Sequence, residues 1–164
     1  MEAASIKLQA ASGPALYAEL RDSAAALFSG ERNAIANAAN LSALLWHALP
    51  GLNWAGFYLW SGEDLVLGPF QGKVACVRIG LGKGVCGRAA LERKTQVVAD
   101  VHAFPGHIAC DADSRSEIVV PLTLGQRLLG VLDLDSPLLN RFDAIDAAGL
   151  EALAQLWIGA SDHH

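Results

Sequence analysis

A chain of 164 residues, 52% hydrophobic and 18% charged, is long enough to bury a core without staples, yet it has no apolar run of about 18 residues that would suggest a membrane span. Its net charge of -5, from 12 Lys and Arg against 17 Asp and Glu, argues against nucleic acid, which needs a basic face. The opening Met1-Glu-Ala-Ala-Ser-Ile-Lys7 has no basic segment followed by an apolar one, so no secretory signal is read and a cytoplasmic location is expected.

Pro14 to Phe28 carries Leu16, Tyr17, Leu20, Ala24, Leu27 and Phe28 at helical spacing, with Ser12 as N-cap and Pro14 in the first turn. A second helix is expected from Asn33 to Leu49, stopped by Pro50-Gly51. Ala55 to Trp60 reads as a strand, Ser61-Gly-Glu-Asp64 as a turn and Leu65 to Phe70 as its partner. Val74-Ala-Cys-Val-Arg-Ile79 reads as a third strand with Gln71-Gly-Lys73 as its hairpin. A short helix over Gly84 to Arg93 and a strand over Thr95 to Ala99 follow. Val101 to Arg115 shows no apolar period, and a loop of that length in a compact domain is usually functional. Glu117 to Leu124 and Leu128 to Asp135 form a hairpin across Gly125-Gln126, and Asp143 to Ile158 is a final helix. Hairpin-linked strands predict an α+β fold as one domain over residues 1–164, a central, mainly antiparallel sheet flanked by helices. The Ala- and Leu-rich helices predict self-association.

The three cysteines are an odd number, so they cannot form a complete set of staples, and all lie among glycines, prolines and histidines. In a reducing compartment that pattern points to thiol chemistry. Cys110 follows Pro105-Gly-His107 in the long loop, with His102 near. Cys86 lies at a helix start, where the macrodipole is expected to lower its pKa. Cys76 shares a strand face with Val74 and Arg78. The cysteines are 10 and 24 residues apart, without the close pairing of a zinc site, so no metal is expected. A Cys–His acyl-transfer site has its ingredients, but no spacing sets an imidazole on a thiol. Asp133 and Asp135 share one face of an apolar strand. Two carboxylates there are costly unless they meet donors or a ligand, or lie solvated at the strand end. Glu117 can join them across the hairpin. Three converging acids suit an ammonium group and raise one pKa toward a general acid. Trp54, Tyr58 and Trp60 alternate beside them, as core or as a pocket wall for a small cationic ligand.

These residues carry a resemblance to the free methionine-(R)-sulfoxide reductases, a GAF-domain family. It rests on Asn53-Trp-Ala-Gly-Phe-Tyr-Leu59, Leu67-Gly-Pro-Phe-Gln-Gly-Lys-Val-Ala-Cys76, Gly82-Lys-Gly-Val-Cys-Gly87, Asp100-Val-His-Ala-Phe-Pro-Gly-His-Ile-Ala-Cys-Asp111, Ser116-Glu-Ile-Val-Val-Pro-Leu122 and Gly130-Val-Leu-Asp-Leu-Asp-Ser-Pro137. The resemblance implies a single GAF domain with its N- and C-terminal helices packed together. It implies reduction of free L-methionine (R)-sulfoxide to methionine, with Cys110 as nucleophile and its sulfenic acid resolved by Cys76 as a disulfide that thioredoxin reduces. Cys86 matches a third family cysteine, and Trp54, Tyr58, Glu117, Asp133 and Asp135 match substrate-binding positions. No cofactor beyond thioredoxin as external reductant, a homodimer, and no nucleic-acid or membrane partner are the accompanying expectations. A non-catalytic GAF module that senses a small molecule or oxidants is the alternative.

Overall fold

The computed structural model describes residues 6–108 and 110–164. The start of the segment read for a secretory signal, and Ala109 in the long loop, lie outside the described residues. The elements run α1 (Gly13–Phe28), α2 (Ala34–Ala48), β1 (Trp54–Trp60), β2 (Asp64–Gly72), β3 (Arg78–Gly80), α3 (Gly84–Glu92), β4 (Gln96–Val98), β5 (Ser116–Leu124), β6 (Arg127–Ser136) and α4 (Ala144–Ala160). A single 3-10 turn, Val101–Ala103, sits between β4 and β5. The strands form one sheet in the order β3-β2-β1-β6-β5-β4, and each neighbouring pair is antiparallel. The fold is thus α+β with hairpin-built pairing. Among the described residues no helix is long and apolar enough to cross a membrane.

Local chemistry sets the helix ends. Pro14 sits in the first turn of α1, where its missing N–H costs nothing. The Asn33 side chain accepts from the Ala36 amide at 2.9 Å and starts α2. Asp143 and Asp146 form a reciprocal capping box at α4. Asp146 also accepts the Tyr17 hydroxyl at 2.7 Å, tying α1 to α4. Burial, then Asp146, pushes the Tyr17 phenol above its ordinary range and keeps it a donor. The apolar stripes of α2 and α4 cover one sheet face and α1 packs on both helices, so that Leu20, Leu41, Leu45, Phe57, Leu132, Leu153 and Trp157 are buried together. The opposite face carries α3 and the loops, over Trp54, Tyr58, Val85, Cys86, Val119 and Val131.

Gly149 lets α1 and α4 approach this closely, because a Cβ there would fall on the Tyr17 ring. Gly149→Ala is expected to lower stability by about 1–3 kcal/mol through overpacking, against a helix-propensity gain of at most about 1 kcal/mol. A melting temperature at or above wild type would show that the helices do not pack as described.

One strand departs from expectation. β2 runs through Gly72 and β3 begins only at Arg78, so residues 73–77 are an irregular connection. Val74 is 89% exposed and Val77 61%, so their alternation marks no buried face. The segment is held instead by single bonds: the Leu67 amide donates to the Val77 carbonyl at 2.9 Å and the Tyr58 hydroxyl to the Cys76 carbonyl at 2.8 Å. A sulfur that must meet the long loop cannot stay in register on a sheet edge.

Candidate active site

Strand register assembles the site. Trp54 pairs with Asp135, Asp135 with Glu117, and Glu117 with Val98, so these residues form one row across β1, β6, β5 and β4. The adjacent row holds Phe70, Gly56, Asp133 and Val119. The period of two points all of them to the face away from the main helical layer. Gly56 leaves the space in which Phe70 sits; a Cβ there would overlap the Phe70 backbone and Cβ. Phe70 therefore stacks on Trp54, with centroids 5.1 Å apart, and Tyr58 stacks on the same indole at 5.7 Å. The indole is fixed before any ligand arrives.

Trp54, Tyr58, Cys86, Cys110, Glu117, Asp133 and Asp135 line one cavity of about 40 Å³. The solvated strand-end reading does not hold for Asp133, which is only 4% exposed, while Asp135 nearer the strand end is half-buried. Trp54 Nε1, Asp133 Oδ1 and Asp135 Oδ1 are buried without hydrogen-bond partners among the described residues. Unmet donors and acceptors at such cost mark a place kept for a ligand rather than for stability.

Burial raises the pKa of all three carboxyls, and the charge of Asp133 raises Glu117 and Asp135 further. Carboxylate oxygens of Glu117 and Asp133 come within 4.8 Å of one another. Two like charges at that distance repel by about 3–4 kcal/mol at an effective dielectric of about 20. That repulsion adds to the burial cost of each charge, so the neutral acid is favoured within the cluster, which titrates as a unit. It combines a general acid with negative charge for an ammonium group.

The thiols divide into two kinds. Cys76 and Cys110 form a disulfide, with Cα atoms 5.6 Å apart, joining the 73–77 connection to the long loop. Cys86 is a free, buried thiol whose Sγ lies 4.0 Å from Glu117 Oε2. Its expected acidity is overturned. Burial, then the charges of Asp133 and Glu117, pushes it well above the ordinary thiol value. The helix-start benefit of about 0.3–1 kcal/mol loses to a buried site among carboxyls. Cys76 lies on no strand face, because its segment leaves the sheet to meet Cys110.

Supporting residues escaped the sequence reading. The Asn53 side-chain amide donates to Asp111 Oδ2 at 3.0 Å and to Ser114 Oγ at 2.9 Å, clamping the Cys110 loop to the start of β1. Lys73 and Asp113 form a 2.9 Å ion pair that ties the two disulfide-bearing loops together a second time. Such partners lie 61 and 40 residues apart in sequence, and no local pattern signals them. Phe70 could have been found, since a residue opposite glycine in the β1–β2 hairpin must face the same side. His107 lines the cavity, and burial followed by His102 lowers its pKa.

Residues 39–157 match the GAF-domain family. The free methionine-R-sulfoxide reductase of Escherichia coli (strain K12) is 54% identical over 141 residues, 85% of this chain and 86% of that protein. The chain belongs to the free methionine-R-sulfoxide reductase family. The Saccharomyces cerevisiae enzyme of the same name is 49% identical over 138 residues, covering 79% of this chain and 77% of its own. The X-ray structure of free methionine-R-sulfoxide reductase from Neisseria meningitidis in complex with its substrate superposes with a TM-score of 0.92 at 45% identity, covering 95% of this chain and 94% of that one. This reductase family is an oxidoreductase family acting on sulfur, and a bridged cysteine pair with Cys110 on the cavity wall is consistent with such chemistry.

Proposed function

We propose that this protein reduces free L-methionine (R)-sulfoxide to methionine. The observation that carries the reading is a disulfide-forming pair whose Cys110 shares one cavity with a stacked indole and a buried cluster of three carboxyls. The Cys110 thiolate attacks the sulfoxide sulfur while a carboxyl of the Glu117, Asp133 and Asp135 cluster protonates the departing oxygen. The resulting hydroxyl passes to the Cys110 sulfur as the transient bond between the two sulfurs breaks, so methionine leaves with its sulfur reduced and Cys110 becomes a sulfenic acid. The Cys76 thiolate displaces the sulfenic oxygen as water, forming the Cys76–Cys110 disulfide. Two electrons and two protons from an external dithiol protein, thioredoxin, return both thiols. The remaining carboxylates bind the free ammonium group. A peptide-bound methionine lacks that charge, which is how the site selects the free amino acid. Trp54 and Tyr58 bound the methyl end.

The residues assigned here need no group beyond the external reductant. Self-association is part of the same reading: an open apolar groove between α1 and α4, lined by Pro14, Tyr17, Ala18, Ile145, Ala148 and Ala152, supports a homodimer through that face.

The test supplies the separate R and S epimers of free methionine sulfoxide with thioredoxin, thioredoxin reductase and NADPH. NADPH is expected to be consumed with the R epimer alone. No consumption with either epimer, from protein with titratable thiols, would instead favour the sensing module.

A further inference from the structure

Cys86 takes no part in the proposed reduction, yet it is buried in the wall of the same cavity. Its Sγ and carboxylate oxygens of Glu117 and Asp133 all lie within 4.8 Å of one another. Asp133 is only 4% exposed, and its Oδ1, in the same cavity wall, has no partner among the described residues. Asp135, opposite Glu117 in the sheet, brings a second unpartnered buried oxygen, Oδ1. The cavity of about 40 Å³ has room for two to four water-sized guests at about 10–15 Å³ each.

We propose that, in the disulfide form, Cys86, Glu117 and Asp133 bind one divalent cation of the zinc class, with Asp135 or water in the fourth position. One thiolate with carboxylates suits zinc or cadmium and disfavours magnesium or calcium, which take oxygen alone. Ligand atoms bound to zinc at about 2.0–2.3 Å sit about 3.3–3.8 Å apart. The Cys86–Glu117 separation of 4.0 Å needs only a slight contraction. Binding forms one metal–sulfur and two metal–oxygen bonds and releases to solvent the Cys86 proton together with any proton held by the two carboxyls, with no change of oxidation state. Sequence spacing could not show this site, because β5, β6 and α3 each supply one ligand. Given the reductase reading, the bound cation occupies the carboxylates meant for the substrate ammonium.

The disulfide form carries Cys86 as its single thiol, so cadmium alone is a selective probe. Titration is expected to show one bound equivalent and an ultraviolet thiolate-to-cadmium charge-transfer band. Cys86→Ser is expected to lose the band. Asp133→Asn, which leaves the thiol in place, is expected to weaken binding at least about tenfold. Circular dichroism confirms that each variant is folded. Absence of the band in wild-type protein, or unchanged cadmium affinity in folded Asp133→Asn, would overturn the proposal. Neither readout involves turnover, so the reductase reading stands or falls separately.

Discussion

Cys110→Ser is expected to abolish reduction of methionine (R)-sulfoxide, with a loss on the order of 10³-fold or more, as for removal of other covalent nucleophiles. The change replaces one atom in a half-buried loop residue, so the melting temperature of the reduced protein should stay near that of reduced wild type. Cys76→Ser separates the two sulfurs. It should still release about one methionine per chain in a single turnover, and then stall as a Cys110 sulfenic acid that a dimedone probe traps. Thioredoxin-dependent cycling should be lost, because no disulfide forms. Full cycling in Cys110→Ser would remove the nucleophile assignment. Full cycling in Cys76→Ser would transfer the resolving role to Cys86, despite its burial against Glu117.

Asp135→Asn should show the opposing demands of stability and function at one residue. The substitution keeps the shape and removes one charge from the cluster. Losing one partner of a buried ion pair with the substrate ammonium costs about 2–5 kcal/mol, so kcat/KM is expected to fall between about 30-fold and about 5,000-fold. The folded protein should meanwhile gain stability at neutral and alkaline pH. The sign follows from the shift: burial and Asp133 raise the Asp135 carboxyl well above its ordinary value, favouring the neutral acid in the folded state. Its contribution is fully present below the unfolded carboxylate pKa of about 4. It is lost as pH rises through the folded value. The variant escapes that loss. Denaturant melts of both proteins at pH 4 and pH 8 should show the variant advantage growing with pH. Parallel pH profiles, or an unchanged kcat/KM, would show that Asp135 is neither strained in the cluster nor used by the substrate.

Much of the architecture was legible because it is written in local periods. The stripes of α1 and α2 and the Gly125-Gln126 hairpin each follow from short-range sterics and hydrogen bonding. Asp133 and Asp135 could be put on one face from their spacing, and Glu117 beside them from the short hairpin. Val74 to Val77 misled because exposed valines imitate the alternation of a strand. Their path depends on a partner sulfur 34 residues away.

The sequence by itself determined the α+β order of elements, the hairpin register that lines up the acids, and, through motif resemblance, the family. Tertiary structure alone decided the ionisation and the wiring. Macrodipole reasoning made Cys86 an acidic thiol; enclosure among Glu117, Asp133 and Asp135 makes it a weakly acidic one. Likewise Asn53, Asp111 and Ser114, or Lys73 and Asp113, meet only after the loops fold over the sheet. Backbone preference acts over a few residues and can be read along the chain. Desolvation and charge depend on what surrounds a group in space, and that is set only when distant segments pack.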